Sequence, residues 1–357
     1  MVKVKLTSDG VVMPVLESLI AASVWPIGDG QWALGGSMLC ERIADGVSAS
    51  SDTITTWKDG QGVDYCLRPL TTRLPIPPYD ENGIIQSRLV SFFDIGHDVF
   101  IKVKYKAADD RSTEAEAMRL VRERAPSVPV PEPIYSWHDK ELERTFLITR
   151  RVHGKVVDDV WHSLKDEDRE QVAKELAAYQ KSLAEITAPA FQDVGGHHLA
   201  ERYLLPDYDE RVEPFTADEL REQLRKASNG IEPPEFGPEF HLFHRDMSAE
   251  NVILSGTDEA RTEGKSHVHV AGIVGWRYAG FYPKFWITTF PCLPIPKYTL
   301  SATEEQLASP ERTYWIWSYM QSLDRAMVEL GFQNGLDGRS WWIKHHEAMG
   351  KPHPYDL

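Results

Sequence analysis

Cysteine is scarce in this chain. Three occur in 357 residues, Cys40, Cys66 and Cys292, far apart and odd in number. None has the short spacing of a thiolate metal site, which argues against a disulfide framework and for buried thiols in a reducing compartment. Positive charge is also in deficit: 54 Asp and Glu stand against 39 Lys and Arg, a net charge of -15 with pI ≈ 5.3. A diffuse acidic surface repels phosphate backbones, so no nucleic-acid partner is expected. Long apolar runs are missing too. The stretch from Val11 to Trp25 is interrupted by Glu17 and is too short to cross a bilayer, so it reads as a packed segment of a cytoplasmic protein with no membrane partner. No internal repeat or low-complexity tract is visible. With 42% hydrophobic and 26% charged residues, the chain can bury one large or two modest cores.

What is present concentrates between His241 and Pro283. His244-Arg245-Asp246, followed by Asn251, has the spacing H-R-D-x-x-x-x-N. In that motif the Asp accepts a proton from an attacking hydroxyl and the Asn holds a metal ion. The apolar run Val252-Ile253-Leu254 follows directly and reads as a buried strand that anchors the loop. Farther on, Ile273-Val274-Gly275-Trp276-Arg277-Tyr278-Ala279-Gly280-Phe281-Tyr282-Pro283 leads to Trp286.

Together these segments resemble the aminoglycoside phosphotransferase and choline kinase-like family, particularly its fungal-type members, in which the catalytic loop is followed by a pattern close to I-I-D-W-E-x-A-G-x-x-P-x-x-W. The resemblance implies an α+β, bilobal protein-kinase-like fold with a β-rich N-lobe and a mainly helical C-lobe. It spans about Leu89 to Leu330. The family's metal-binding Asp falls on Gly275, and Ala271 to Phe290 holds no carboxylate that could replace it.

Upstream, residues 1-88 read as an N-terminal extension and part of the N-lobe, with short strands and turns at Gly28-Asp29-Gly30, Gly35-Gly36 and Trp57-Lys58-Asp59-Gly60. These glycines are expected to be turns outside any strand-loop-strand cradle for a nucleotide. Residues 89-152 form the rest of the N-lobe. Leu89 to Phe93 and Val99 to Val103 flank a turn and read as a β-hairpin. By resemblance, Lys102 on its second strand contacts nucleotide phosphates, and Glu114 orients that lysine. Read from the residues alone, Lys102 is a solvent-facing lysine and Glu114 a first-turn carboxylate complementing a helix dipole. Thr113-x-x-Glu116 is a capping box that opens this helix. Thr145 to Thr149 reads as the strand entering a hinge at Arg150 to Gly154.

Residues 153-357 form the helical C-lobe. Val172, Leu176, Tyr179, Leu183 and Ile186 mark one apolar helical face, and Ile316, Met320, Leu323, Met327 and Leu330 mark another that stops at Gly331. A short helix is expected from Thr216 to Lys226. His197 and His198 lack a third ligand at fixed spacing and read as surface or pocket residues.

The leading expectation is an ATP-dependent small-molecule O-phosphotransferase with a compromised metal site. Asp246, His244 and Arg245 form its catalytic group, Lys102, Glu114 and Asn251 bind the nucleotide, and Asn251 is the metal ligand whose partner position, Gly275, has lost its donor. ATP and Mg²⁺ are implied if phosphotransfer is retained. Neither is implied by two alternatives: a repurposed fold doing metal-independent natural-product chemistry such as cyclisation or rearrangement, and a non-catalytic pseudokinase binding module. The partner implied by the resemblance is a small molecule, hydrophobic or ring-containing where aromatics of the closing helices line its pocket, whereas from the residues alone Trp315, Trp317, Trp341 and Trp342 read as core.

Overall fold

The computed structural model describes residues 3–6, 12–15, 20–77, 90–105, 114–197, 199, 201, 204, 213–257, 267–289, 310–333 and 335–350. The chain divides into two compact units, Met1–Arg111 with Pro133–Arg151, and Ser112–Glu132 with Val152–Leu357.

The first unit is antiparallel β-structure. Strands β1 (Lys3–Leu6) and β2 (Val12–Val15) pair with each other. Strands β3 (Val24–Gly28), β4 (Gln31–Leu34), β5 (Met38–Arg42), β6 (Thr55–Lys58) and β7 (Asp64–Pro69) form a five-stranded sheet in the order β3-β4-β5-β7-β6. Strands β8 (Val90–Ile95), β9 (Val99–Tyr105), β10 (Pro133–Asp139) and β11 (Arg144–Arg150) form a second sheet in the order β10-β11-β9-β8. One core joins them: Leu34, Cys40, Trp57 and Leu67 from the first sheet meet Ile101, Val103, Phe146 and Ile148 from the second. Each such side chain, fully buried, contributes about 1.5–3 kcal/mol. Trp57 stacks on Tyr65 at 5.9 Å and Trp137 on Phe146 at 4.5 Å, which fixes how the aromatic part of that core is filled.

This corrects the reading of the N-terminal glycines. Gly28-Asp29-Gly30 and Gly35-Gly36 are the connections β3-β4 and β4-β5, within a strand-turn-strand-turn-strand unit. The alternation that would have announced these strands is absent because Ala33 and Leu34, and likewise Met38, Leu39 and Cys40, are consecutively buried. A sheet covered on both faces loses its period-two signal.

The second unit carries the helices α1 (Glu114–Arg124), α2 (Val157–Val160), α3 (Asp166–Ala184), α4 (Ala217–Ala227), α5 (Lys284–Thr289), α6 (Pro310–Glu329) and α7 (Gly335–Ala348). The capping residue expected for α1, Thr113, lies outside the described residues, as do His198 and Cys292. Helix α4 has a complete capping box: the Thr216 hydroxyl accepts from the Glu219 amide, and the Glu219 carboxylate accepts from the Thr216 amide at 2.8 Å. Helix α3 packs against α6 and buries Val172, Leu176 and Leu183, with Tyr179 half-buried and Ile186 buried just beyond its end. In α6, Met320, Leu323 and Met327 are buried as expected, but Leu330 is 37% exposed. The helix ends at Glu329, the chain turns back at Gly331, and the Phe332 amide bonds to the Met327 carbonyl at 3.1 Å, so buried Phe332 takes the apolar place expected of Leu330. Among the described residues, no helix is long and apolar enough to cross a membrane.

Two small sheets position the site. Strands β12 (Lys155–Val156), β16 (Val252–Ser255) and β17 (His269–Ile273) pair in the order β12-β16-β17. Strands β13 (Thr187–Ala188), β14 (Gln192–Asp193), β15 (Phe240–Phe243) and β18 (Gly280–Tyr282) pair in the order β13-β15-β18-β14.

Candidate active site

Residues 244–251 leave β15 and enter β16, while residues 274–279 leave β17 and enter β18. Because β15 pairs with β18 and β16 with β17, the two loops are forced side by side. The Val274 amide donates to the Asn251 carbonyl at 2.8 Å, closing the seam. At the far side, a Cβ on Gly280 would sit 2.7 Å from a Leu199 methyl and 2.9 Å from the Gln192 carbonyl oxygen, so glycine there permits the close approach of β18 to β14.

His244 is fully buried, and both of its ring nitrogens face backbone. Nδ1 accepts from the Asp246 amide at 3.2 Å, which places the proton on Nε2, donating to the Val274 carbonyl at 3.0 Å. Its edge meets Trp276 at 4.4 Å, and the Trp276 indole donates to the Ile273 carbonyl at 2.7 Å. The imidazole therefore staples one loop to the other.

Arg245 adopts a left-handed backbone, φ 68°, a conformation that costs a non-glycine residue about 1–2 kcal/mol. A forked ion pair offsets that cost: Nε and a terminal nitrogen reach the two Glu201 oxygens at 2.6 and 3.1 Å, with both side chains nearly sealed from solvent. The guanidinium also lies 4.7 Å from the Tyr278 ring centre. Nearby, burial pushes the Tyr282 hydroxyl well above its ordinary pKa, against the opposing pull of the Arg245 charge. His244 and Arg245 thus hold the loop, and Asp246 beside them is half-buried.

Asn251 is oriented by its own amide. Nδ2 donates to the Asp246 carbonyl at 2.9 Å and to the Ser248 hydroxyl at 3.3 Å, and Oδ1 lies 2.6 Å from the point where a Cβ on Gly275 would stand. The two metal-ligand positions of the motif are therefore adjacent. Gly275 is left-handed, φ 81° and ψ 40°, a region that Asp and Asn tolerate better than other non-glycine residues. The backbone keeps a shape an Asp could take, but the carboxylate is missing. Mg²⁺ asks for octahedral oxygen donors, usually with one or two carboxylates beside substrate phosphates. Among the described residues no trio of His, Cys, Asp or Glu donors gathers around Asn251. The residues at this pair of positions supply one neutral amide oxygen and do not fit a resident Mg²⁺.

The model of the phosphotransferase enzyme family matches residues 46–283, about two thirds of the chain. The chain belongs to this family. It has the family's kinase-like α+β fold, β-rich toward the N-terminus and helical toward the C-terminus. Among solved structures, it is similar to the GDP complex of wild-type aminoglycoside 2'-phosphotransferase-IIIa, at 13% identity over 76% of this chain and 91% of that one, TM-score 0.38. It is also similar to a thermostable mutant of aminoglycoside phosphotransferase APH(4)-Ia in ternary complex with AMP-PNP and hygromycin B, at 14% identity over 72% and 93%, TM-score 0.36. A third is the gentamicin-APH(2")-IIa complex, at 14% identity over 75% and 90%, TM-score 0.37. At these scores the family assignment rests on the sequence match. No curated protein matches the sequence.

The remaining residues expected at a phosphotransferase site divide between the units. In the first, Lys102 lies on β9 opposite Phe92 and Leu147, on the face away from the core. It shares that face with Lys104, which sequence reasoning passed over and which is buried, 3% exposed. In the second, Glu114 is the first residue of α1, in the first turn where a carboxylate complements the helix dipole, and it is buried. Two further residues had no local signal. Glu201 lies 44 residues before its partner Arg245. Tyr319 of α6 donates its hydroxyl to the Met247 carbonyl at 2.9 Å, and burial, then the nearby Asp246 charge, raise its pKa.

Proposed function

We propose that this phosphotransferase-family chain transfers a phosphoryl group from ATP to a hydroxyl of a small molecule, with Asp246 as proton acceptor and with weak dependence on Mg²⁺. The observation that carries this reading is the state of the loop. The Asp246 carboxylate is half-buried, its amide is held by His244, and its carbonyl is held by Asn251. A carboxylate fixed from both sides of its own peptide can take the proton as an acceptor oxygen bonds to the γ-phosphorus and the bond to the departing ADP oxygen breaks. Lys102 would meet the donor's phosphates, with Glu114 orienting it. The acceptor would be a hydrophobic or ring-bearing compound of biosynthetic origin, and the reaction would take place in the cytoplasm.

Gly275 favours a second reading, in which the fold no longer transfers phosphate and instead cyclises or rearranges a bound intermediate without metal. A carboxylate aimed at the transferring phosphate contributes charge stabilisation of several kcal/mol, and its loss is severe. The readings separate in a single-turnover assay with labelled ATP across hydroxyl compounds that bind. Transfer by the wild-type chain, abolished in Asp246→Ala, is expected. No transfer by either wild type or Gly275→Asp to any acceptor that binds would sink the phosphotransferase reading. Stabilisation by an apolar compound without nucleotide would then support the second, and co-purification with a protein partner would point to a non-catalytic binding module.

A further inference from the structure

Upstream of Asp246 the loop is anchored to its neighbours by His244, at the Val274 carbonyl, and by Arg245, at the Glu201 carboxylate. The residue itself is held by its own loop: the Asp246 amide donates to His244 at 3.2 Å, and the Asp246 carbonyl accepts from Asn251 at 2.9 Å. Immediately downstream the partner changes. The Met247 carbonyl accepts from the hydroxyl of Tyr319, 72 residues away on α6, at 2.9 Å. A loop braced by its own side chains keeps its shape and can still shift as a body, whereas this bond fixes it against a helix.

Tyr319 is itself immobilised. It is 1% exposed, and its ring meets Trp161, in the 3-10 turn after α2, edge to face at 5.1 Å. The Trp161 indole in turn donates to the hydroxyl of the preceding residue, Ser318, at 3.4 Å. A phenol whose ring is locked by packing aims its hydroxyl with little freedom. Burial, then the charge of Asp246, hold that hydroxyl above its ordinary pKa, so it stays protonated and remains a donor. About two turns earlier in the helix, Arg312 reaches Asp158 of α2 at 2.8 Å and lies 3.9 Å from Glu250 of the loop. The longer of these contacts is partly open to water and weak, which leaves the buried Tyr319 bond as the stronger of the two ties between α6 and the loop.

We infer that Tyr319 is a positioning residue for Asp246: through the Met247 carbonyl it sets where the Asp246 side chain stands relative to α6. The task of Asp246 as proton acceptor rests on the phosphotransferase reading, whereas the placement of its loop does not. A proton acceptor must lie within hydrogen-bond reach of the hydroxyl it serves, and a misplacement of about 1 Å costs up to about a hundredfold in rate. A bond that merely satisfied a buried carbonyl would matter to stability and leave the rate alone.

Tyr319→Phe separates these roles, because it keeps the ring against Trp161 and removes only the hydroxyl. Transfer from labelled ATP should lose about ten- to a hundredfold in kcat, with KM for ATP within about twofold of wild type. Leu323→Val, which loosens buried packing one turn on in the same helix and removes no bond to the loop, should leave both constants within about twofold. In the same proteins, amide hydrogen exchange over residues 244–251 should be at least about tenfold faster in Tyr319→Phe than in wild type, with Val172–Leu183 of α3 unchanged. An unaltered kcat in Tyr319→Phe, a loss expressed in KM instead, or an equal loss in Leu323→Val would overturn the inference and keep the phosphotransferase. If the wild-type chain transfers no phosphate, the phosphotransferase reading falls and exchange alone decides. Acceleration confined to the loop then upholds the tie of Asp246 to α6, and unchanged exchange, or equal acceleration in α3, overturns it.

Discussion

Replacing Gly275 by Asp puts a carboxylate where the family resemblance expects one, and its consequences can be worked from the geometry. The backbone at φ 81° and ψ 40° costs a side-chain-bearing residue about 1–2 kcal/mol, with Asp near the low end. The new Cβ stands 2.6 Å from Asn251 Oδ1, so the amide must shift while Nδ2 is held by the Asp246 carbonyl and the Ser248 hydroxyl. Weakening one of those bonds costs about 1 kcal/mol more. Without a divalent ion, urea unfolding should therefore find the variant destabilised by about 2–3 kcal/mol. With Mg²⁺ the new carboxylate and Asn251 Oδ1 form a two-oxygen donor set, and saturation at a hundred times Kd restores about 2.7 kcal/mol. Gly275→Asn is the control, since it carries the same strain and nearly the same volume without the charge. Single-turnover transfer from labelled ATP should rise at least about tenfold in the Asp variant, a modest share of what such a ligand supplies, and should fall or stay level in the Asn variant. Equal responses of the two variants to Mg²⁺, in stability and in transfer, would refute the assignment of Gly275 as a vacated ligand position.

Three other outcomes follow, the last of them reaching beyond the site to a buried thiol of the first unit. Glu201→Ala leaves the Arg245 charge buried without its forked partner and should cost about 3–5 kcal/mol in urea unfolding, whereas Arg245→Met with Glu201→Leu should recover much of it; a Glu201→Ala loss below 1 kcal/mol would contradict the burial. His244→Phe keeps the ring against Trp276 but deprives the Asp246 amide and the Val274 carbonyl of partners, so unfolding should show a loss of about 2–4 kcal/mol, and an unchanged midpoint would speak against the staple. Burial, then the neighbouring Cys66 and Glu41, push the Cys40 thiol up, and burial raises the Tyr319 and Tyr282 hydroxyls. Such raised groups stabilise the folded state fully below their unfolded pKa, and this is lost as pH climbs toward the folded one. Stability measured by urea unfolding should thus be level from neutrality to about pH 9 and then decline by up to about 1.4 kcal/mol per pH unit for each group, and a flat profile to pH 11 would refute these shifts.

The fold was legible where a segment is covered on one side only. The hairpin β8-β9 keeps its alternation from Val99 to Val103, where Val99, Ile101 and Val103 are in the core and Phe100 and Lys102 are half-buried, and loses it at Lys104, which is buried on the other face. The periodicity of α3 survives because one stripe packs and the other meets solvent. Legibility fails where burial is two-sided, as in β4 and β5, and where a helix lacks contrast. Helix α7 buries Trp341 and Trp342 together and stacks them on His345 and His346 four residues on, at 4.6 and 4.8 Å. Adjacent residues that are both buried fit neither a stripe nor an alternation.

The site shows the same division, for a different reason. Asp246 and Asn251 could be placed on one loop because a short connection between two strands fixes its residues by spacing, and Gly275 through the resemblance, and strand pairing brings Gly275 to Asn251. Glu201 and Tyr319 act on that loop from 44 and 72 residues away, through the Arg245 side chain and the Met247 carbonyl. No spacing rule covers such distances, and a lone Glu or Tyr has no pattern. Yet these two contacts explain how the loop of residues 244–251 keeps its form beside a glycine at 275 of the neighbouring loop. A site that draws its rigidity from a metal loses shape with the ligand, whereas this one draws it from a buried ion pair, an imidazole staple and a tyrosine hydroxyl, none of which needs the carboxylate. Asp246 meets the Gly275 position only through the Asn251 amide, which bonds to its carbonyl, so the loop keeps its form with glycine at 275, and a side chain placed there acts on Asp246 through Asn251.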